Sequence, residues 1–356
     1  RSVYVRASVR VLANSGAVEG GGAHGLALGR DGAVLAWGSG SQTNVPAGLS
    51  NAVMVAAGGR HSLALTSEGT VVAWGINGNG QTNVPAGLSH VVAISAGTEH
   101  SLALLSDGTV TGWGANAYGQ LAVPDGLSNV VALAAGDTYS LALQTTGKVV
   151  PWGRVLPWDF HAGLSNVVAI SAKGPCGLAL TADDTILVWP TNRLPFPSRL
   201  PIGAGPAPAA ATNVIGIAAG EGHALGLRSD GQVIAWGLNA AGQTNVPATL
   251  SNVTAVAAGY SNSLALVTEG PPFLIAPLLS RTVIHGSPVW FRATATGSYP
   301  LYYQWRRAGT NLAGATNPVL GFASVRLEDA GDYSLVVSNV HGALTNSEAR
   351  LTVVPL

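Results

Sequence analysis

The chain has 356 residues, enough for two domains with a sizeable core, and its formal net charge is +0 with only 10% charged residues. A protein that binds nucleic-acid backbones needs a basic face to displace counterions, so this balance argues against nucleic acid as a partner. No apolar run reaches the roughly 18 residues needed to span a bilayer. The single cysteine, Cys176, excludes an internal disulfide.

A short apolar string that begins with histidine recurs along the first three quarters of the chain. The sequence HSLAL at residues 61–65 returns at residues 100–104. Weaker copies begin at His24, Tyr139, Cys176, His223 and Asn262. The seven copies start 37 to 47 residues apart, a period typical of arrays of supersecondary units.

Each repeat unit predicts several short strands. In the second unit an apolar run at residues 53–57 precedes Gly58, two variable residues and the strand that begins at His61. An acidic-Gly pair such as Asp107-Gly108 then favours a hairpin turn, and a run ending in Trp-Gly leads into a loop rich in Gly and Asn. No segment shows the 3.6-residue period of a helix. The repeat therefore predicts an all-β fold, a seven-bladed β-propeller of four-stranded blades around a channel.

The seventh unit is short of one strand. Six units carry a third strand marked by a tryptophan, namely Trp37, Trp74, Trp113, Trp152, Trp189 and Trp236. The seventh runs into Gly270-Pro271-Pro272 instead, while residues 1–13 alternate between apolar and polar like a half-buried strand. We expect this N-terminal segment to pair with the seventh unit and close a propeller that spans residues 1–270.

The repeat motif resembles a known family. Gly58-x-x-His61, the acidic-Gly turn and the segment from Trp74 to Gln81 look like the repeat of the regulator of chromosome condensation family, over about residues 15–269. The resemblance implies a seven-bladed propeller. The nuclear exchange-factor activity for which the family is known is not expected here, because the neutral charge, the secreted-looking composition and the additional C-terminal region argue against it.

Residues 271–356 carry a different pattern. Trp305 and the run from Asp329 to Leu335, which includes Tyr333, resemble the core tryptophan and the tyrosine corner of an immunoglobulin-like β-sandwich. Alignment with that fold places its two usual cysteines near Ala293 and Leu335, so the resemblance implies an apolar contact in place of the disulfide. In secreted bacterial proteins such domains usually serve as spacers or adhesion modules, which is an analogy at the level of the fold.

The sequence favours no catalytic or metal site. Histidines at equivalent repeat positions suggest a metal ring, but Tyr139, Cys176 and Asn262 interrupt it, and a repeated residue is expected to make the same internal hydrogen bond in each blade. The spacing expected of zinc ligands is absent. Paired acid and base carboxylates have few candidates, and no nucleophile elbow, Walker loop or dinucleotide fingerprint appears. We therefore expect no enzyme activity, no metal and no cofactor.

Departures from the repeat consensus are the best candidates for a binding site. The two variable residues between the Gly and His positions of each unit are expected to converge at one end of the channel. The candidates from this set are Arg60, Glu99, Asp137, Glu221 and Tyr260. The alternative is that these residues are only solvated turns.

A second departure lies in the fourth and fifth units. Arg154, Trp158 and Phe160 replace the usual Asn-Gly-Gln loop, and an insertion follows at residues 192–212. Exposed aromatic side chains beside a charge suit sugar stacking or a protein hot spot. The alternative is a decayed blade whose side chains fill a local gap.

Three functional hypotheses follow. The first is a non-catalytic, secreted or cell-surface bacterial recognition module that binds a protein or glycan through propeller loops, with the C-terminal domain as a spacer or adhesion module. The second is a structural subunit of an extracellular bacterial assembly or filament, which would form a homo-oligomer. The third is a carbohydrate-active enzyme whose acids lie in the variable loops.

Deletion of residues 1–12 tests the predicted ring closure. Loss of this strand would leave the seventh blade incomplete, so the melting temperature should drop sharply. Thermal unfolding followed by circular dichroism measures the effect, and an unchanged melting curve would contradict the prediction.

Overall fold

The structure is a computed structural model, and it describes a defined part of the chain. The described residues are 15–29, 31–154, 164, 166–189, 204–248, 250–267, 270–274, 278–293, 295–298, 300–346 and 348–355. The N-terminal segment that is predicted to close the ring lies outside these residues. So do Trp158, Phe160 and the first part of the predicted insertion.

The repeats form seven antiparallel sheets, which we call blades 1 to 7 in chain order. Blades 1 to 3 contain β1 Ser15–Gly20, β2 His24–Gly29 and β3 Val34–Gly38; β4 Ala52–Ala57, β5 His61–Thr66 and β6 Val71–Gly75; β7 Val91–Ala96, β8 His100–Leu105 and β9 Val110–Gly114. Blades 4 to 7 contain β10 Val130–Ala135, β11 Tyr139–Gln144 and β12 Val149–Gly153; β13 Val167–Lys173, β14 Cys176–Thr181 and β15 Ile186–Trp189; β16 Val214–Ala219, β17 His223–Arg228 and β18 Val233–Gly237; β19 Val253–Ala258 and β20 Ser263–Val267.

Each complete blade is a simple up-and-down sheet. In blade 2 the order is β4-β5-β6, and His61 lies opposite Gly75 while Leu65 lies opposite Val71. The acidic-Gly turn at the other end is confirmed: Gly69 has a φ of 73°, which favours glycine. The Gly-x-x-His turn and the Trp-Gly end of a blade therefore lie at the same end of the propeller. We call this end the loop face.

The prediction of four strands per blade is wrong for the described residues, where complete blades have three. After the third strand the chain forms a loop held by its own amide side chains. Asn77 accepts a hydrogen bond from the Thr82 amide at 3.0 Å and donates one to Asn83 Oδ1 at 2.7 Å. Asparagine that bonds the local backbone in this way competes with pairing to a neighbouring strand. In blade 1 the loop includes a short 3₁₀ helix at Ser41–Thr43.

The core lies between neighbouring blades. Leu63 and Leu65 of blade 2 pack in one cluster with Ile94 and Trp113 of blade 3, for example. The ring closes in the same way, because Val18 of blade 1 shares a cluster with residues of blade 7. The described residues therefore confirm the predicted seven-bladed propeller, with a seventh blade of two strands.

A buried side-chain hydrogen bond links each consensus blade to the next. His61 Nε2 lies 3.0 Å from Ser101 Oγ of the following blade, and Ser101 Oγ donates its proton to the carbonyl of Gln81 at 2.9 Å. The serine hydroxyl has one proton, so the histidine must be the donor to the serine. The same carbonyl accepts from Trp113 Nε1 at 2.9 Å. We call the His-to-Ser contact the His–Ser bridge.

The bridge occurs at four of the seven blade interfaces. The pairs are His24–Ser62, His61–Ser101, His100–Ser140 and His223–Ser263, each at 3.0 Å. The expectation that the repeated histidines make one repeated internal hydrogen bond is therefore confirmed for these blades.

At the three other interfaces both partners differ. The residues at the two bridge positions are Tyr139 and Gly177, Cys176 and Ala224, and Asn262 and Gly25. Tyr139 is longer than histidine, and its hydroxyl donates past the missing serine to the carbonyl of Cys176 at 2.9 Å. Where the histidine is lost, so is the serine, because a buried hydroxyl or imidazole without its partner costs about 1–3 kcal/mol.

Steric crowding explains why the Gly-x-x-His turn begins with glycine. A Cβ placed on Gly58 would lie 2.3 Å from the His61 imidazole and 2.7 Å from the carbonyl of Gly97 in the next blade. The imidazole Nδ1 beside this glycine is buried and has no hydrogen-bond partner. A side chain at the glycine position therefore requires both a smaller residue in place of the histidine and a shift of the turn in the next blade.

The C-terminal region forms further sheets with their own core. Its strands are β21 Phe273–Leu274, β22 Arg281–Ile284, β23 Val289–Arg292, β24 Ala295–Thr296, β25 Tyr302–Arg307, β26 Thr310–Asn311, β27 Val319–Phe322, β28 Gly331–Asn339, β29 Gly342–Thr345 and β30 Ala349–Val354, with a 3₁₀ turn at Leu327–Asp329. A six-stranded sheet has the order β22-β30-β28-β25-β26 with β29 on β28, while β23 pairs with β27 and β21 with β24.

The two sequence features of this region take their expected places. Trp305 is fully buried, and Tyr333 Oη donates to the carbonyl of Asp329 at 2.7 Å, as in a tyrosine corner. Ala293 and Leu335, the expected substitutes for a disulfide, are buried in the same apolar cluster. The immunoglobulin-like assignment and the boundary at residues 270 and 271 stay predictions. Among the described residues no helix has the length and apolar character to cross a membrane.

A double-mutant cycle on His100 and Ser140 tests the bridge. The double variant H100C/S140A copies the natural pair Cys176 and Ala224, while each single variant leaves one partner mismatched. We expect a coupling free energy of about 1 kcal/mol or more from urea unfolding. The surface pair Ser89 and His90, also 3.0 Å apart, is the matched control and should show coupling near zero. Equal coupling in both cycles would contradict a special role for the buried bridge.

The bridge also predicts how stability depends on pH. Burial lowers the pKa of His24, His100 and His223 to about 4 and that of His61 to about 3, from an ordinary value of 6.5. Between pH 6.5 and about 4 the unfolded chain thus binds more protons than the folded chain. The free energy of unfolding should fall as pH is lowered through this window, by up to ~1.4 kcal/mol per pH unit for each histidine.

One half-buried carboxyl in the channel opposes this trend. Burial raises the pKa of Glu19 to about 7, so Glu19 favours folding as pH falls from 7 towards 4.5. Because four histidines outnumber this group, the net slope should keep the sign of the histidines. Urea unfolding from pH 7.5 to 4.5 measures the slope, and H100C/S140A should reduce it by one proton. A stability that is flat or rises towards pH 4.5 would show that the bridges are not the main titrating groups.

Candidate binding face

The loop face brings two sets of variable residues together. The residue after each Trp-Gly pair donates its amide to the second variable residue of the same blade: Ile76 to Arg60, Ala115 to Glu99 and Arg154 to Thr138, each at 2.9 Å. The variable turns form an inner ring around the channel, and the segments after Trp-Gly form an outer ring. The convergence at one end of the channel that the sequence predicts is thus present among the described residues.

Four of the predicted site residues are exposed on this face. Arg60, Glu99, Asp137 and Glu221 all project from variable turns into solvent. Tyr260 differs, because its side chain is half-buried and crosses the channel mouth. Tyr260 Oη donates to Thr98 Oγ1 of blade 3 at 2.8 Å. Tyr260 therefore belongs to the floor of the face and the other four residues to its rim.

The electrostatics of the mouth are acidic. Burial raises the pKa of Tyr260 to about 12 and outweighs the lowering by its hydrogen bond with Thr98, and the carboxylates of Asp137, Glu221 and Glu99 add to the rise. Partial desolvation and the nearby Asp137 also raise the pKa of Glu221. Within the described residues the ion pairs join Arg228 to Asp230, Arg326 to Glu328 and Arg350 to Asp332. None of these pairs neutralises the three rim carboxylates.

Arg154 lies on the outer ring against a neighbouring blade. Its guanidinium carbon is 5.2 Å from the centroid of the Tyr118 ring, a cation–π contact between blades 4 and 3. The Tyr118 side chain is half exposed. Sequence reasoning missed Tyr118, although it is an aromatic departure from the small residues that other blades carry in the same loop. Trp158 and Phe160, predicted to extend this patch, lie outside the described residues.

The channel holds two charged residues that sequence reasoning also missed. Lys173 is buried, and its Nζ donates to the carbonyl of Ala57 at 2.5 Å, from blade 5 to blade 2. Burial lowers the pKa of Lys173, and Glu19 of blade 1 opposes that effect. The signal was available: Lys173 stands where six blades have glycine, and Glu19 stands where the other six have Ala or Ser.

The described residues form no cluster suited to a metal ion. No group of three or more His, Cys, Asp or Glu side chains in the described part of the chain is arranged to hold a metal ion. The repeat histidines are separated, each directed to the next blade. A cavity of about 200 Å³ lies between the propeller and the C-terminal region, with apolar walls that include Ile170, Ile217 and Val256 on one side and Ala295 and Pro318 on the other. Its described lining carries no charged side chain.

Comparison with known proteins agrees with this architecture. Residues 53–81, 91–120 and 214–243 match the model of the Regulator of chromosome condensation (RCC1) repeat. These segments lie in blades 2, 3 and 6. No curated protein sequence matches the chain.

Several solved propellers are similar in structure. Yeast RCC1 (Prp20), solved bound to Kap60, is 21% identical with a TM-score of 0.55, over 70% of this chain and 79% of that chain. The CRINKLY WD40 ectodomain of the Arabidopsis thaliana receptor kinase ACR4 is 21% identical with a TM-score of 0.50, over 62% and 79%. The entire ectodomain of the Physcomitrella patens receptor kinase CR4 is 22% identical with a TM-score of 0.52, over 70% and 69%.

These identities establish the fold and not a shared partner. The three matched segments, the seven sheets of the described residues and the bridges between them agree with one another. The chain therefore carries regulator of chromosome condensation (RCC1) repeats folded as a seven-bladed β-propeller.

Proposed function

We propose that the loop face is a non-catalytic recognition surface for a partner protein outside the cell or at its surface. The observation that carries this proposal is that, within each repeat, the consensus residues are buried and the variable residues are exposed. Consensus His, Ser, Gln and Trp residues are buried and committed to hydrogen bonds between blades. The residues that differ between blades are exposed together at one end.

The chemistry of the exposed residues favours a protein over a glycan. Tyr and Arg are among the residue types enriched in binding hot spots, and the Arg154–Tyr118 contact holds both side chains in place before binding. Ile76 and Leu238 add exposed apolar surface just after Trp-Gly in blades 2 and 6. A glycan would need aromatic faces free for stacking, and among the described residues Tyr118 already has one face under Arg154.

The related propellers lend limited support. Yeast RCC1 was solved with a protein bound to it, and the two plant propellers belong to receptor ectodomains. Their low identity carries no residue-level information. Secretion or surface display of the present chain is part of the proposal and draws on its composition, which contains 47 glycines and only two lysines, Lys148 and Lys173.

Variants of the two rings test the proposal. Y118A/R154A removes the aromatic pair, and E99A/D137A/E221A removes the rim carboxylates; both sets are on the surface and should leave the fold intact. The control, E68A/K148A, changes two charges in hairpin turns at the opposite end. Proximity labelling on cells followed by mass spectrometry identifies partners, and purified candidates are then titrated directly.

We expect Y118A/R154A to weaken binding at least about tenfold while the control binds like the wild type. Equal binding by all variants would place the partner surface elsewhere and refute the proposal. Binding to a glycan array that Y118A/R154A abolishes would refute the assignment of a protein partner to this face.

A further inference from the structure

Blade 5 contains an unusual buried cation. Lys173 is one of only two lysines in the chain, and it occupies the glycine position of the Gly-x-x-His turn. Its side chain is buried and crosses the channel to the carbonyl of Ala57, which ends the inner strand of blade 2. A buried ammonium is costly to desolvate, so its retention at a position where glycine suffices needs a physical reason.

The neighbouring substitution makes room for this lysine. In the consensus blades a side chain at the glycine position would collide with the imidazole of the histidine three residues later. In blade 5 that histidine is Cys176, which is smaller and fully buried. Lys173 and Cys176 are therefore coupled changes in one turn and not two separate losses of consensus.

Blade 5 is also held weakly to blade 6, because their interface lacks two hydrogen bonds that link blades elsewhere in the ring. At five of the seven interfaces a backbone amide of one turn donates to the turn of the next blade, as Gly59 does to Gly97 at 3.1 Å. The interface of blades 6 and 7 lacks this bond but keeps its His–Ser bridge. No such bond joins Gly174 to Gly220, although both are among the described residues. The His–Ser bridge is missing as well, because the pair is Cys176 and Ala224. Among the seven interfaces of the described propeller, only blades 5 and 6 lack both of these links.

One lateral bond does remain at this interface. Ser171 Oγ accepts from the Ala219 amide at 2.9 Å. The same type of bond occurs at a consensus interface, where Ser95 Oγ accepts from Ala135 at 3.0 Å. It therefore does not compensate for the two links that blade 5 has lost.

We propose that the Lys173–Ala57 hydrogen bond fixes blade 5 in the ring by joining it across the channel to blade 2, and that it closes the channel at the loop face. A charge-assisted hydrogen bond is stronger than a neutral one, which suits a single contact that stands in for two. The Tyr260–Thr98 bond crosses the same mouth from blade 7 to blade 3. With both bonds in place, a partner meets a closed floor and cannot thread a segment through the mouth.

Cys176 provides a reporter for this proposal, because it is the only cysteine, lies fully buried in the same turn and has a pKa raised to about 11 by burial. The rate of its modification by methyl methanethiosulfonate under native conditions reports local opening of blade 5. Replacement of Lys173 by glycine restores the consensus residue, and replacement by methionine keeps the length of the side chain without a donor. We expect both K173G and K173M to react at least about tenfold faster than the wild type.

Two controls separate this effect from general destabilisation. K148G replaces the other lysine, in an exposed turn, and should leave the rate unchanged. Hydrogen exchange followed by mass spectrometry should show faster exchange of β13 and β14 in K173M, with β7 and β8 unaffected. A wild-type rate in K173M would overturn the proposal, since the hydrogen bond would then be dispensable. Faster exchange spread evenly over all blades would overturn it too.

Discussion

The fold depends on the packing of each blade against the next at all seven blade interfaces. Blades of three short strands bury little surface on their own, so the apolar core forms only between neighbours. The His–Ser bridge and the shared carbonyl of the preceding loop add direction to that packing. The carbonyl oxygen of Gln81, for instance, accepts hydrogen bonds from both Ser101 and Trp113. Each repeat is thereby held by residues that belong to the repeat before it.

This constraint explains where variation is tolerated. A substitution at one position of the His–Ser bridge leaves the other residue buried without its hydrogen bond. At the three interfaces that lack the bridge, both positions differ from the consensus. Blade 5 extends this logic, since the loss of histidine at Cys176 removes one of the two clashes that otherwise enforce glycine at the position of Lys173. The exposed turns form no buried bridge, so charged and aromatic residues are tolerated at the loop face. A recognition surface can change there without disturbing the ring.

The mouth of the channel combines a variable residue that is fixed by a hydrogen bond with variable residues that stay exposed. Tyr260 stands in a variable turn yet is held by Thr98 from the far side of the channel. Asp137 and Glu221, from the turns of blades 4 and 6, stay exposed and unpaired within the described residues. The face thus combines a fixed floor with a charged rim, a form of preorganisation that lowers the entropic cost of binding.

The sequence by itself determined the repeat, the all-β class, the number of blades, the hairpin turns and the end of the blade where variable residues gather. These follow from local periodicity and turn chemistry, which act within one unit. It overestimated the strands per blade, because asparagine bonds within the loop compete with strand pairing. Only the tertiary structure decided that His61 bonds Ser101, that Tyr118 lies under Arg154, and that Lys173 reaches Ala57. Those contacts join residues 36 to 116 positions apart, and their geometry exists only after the ring has closed.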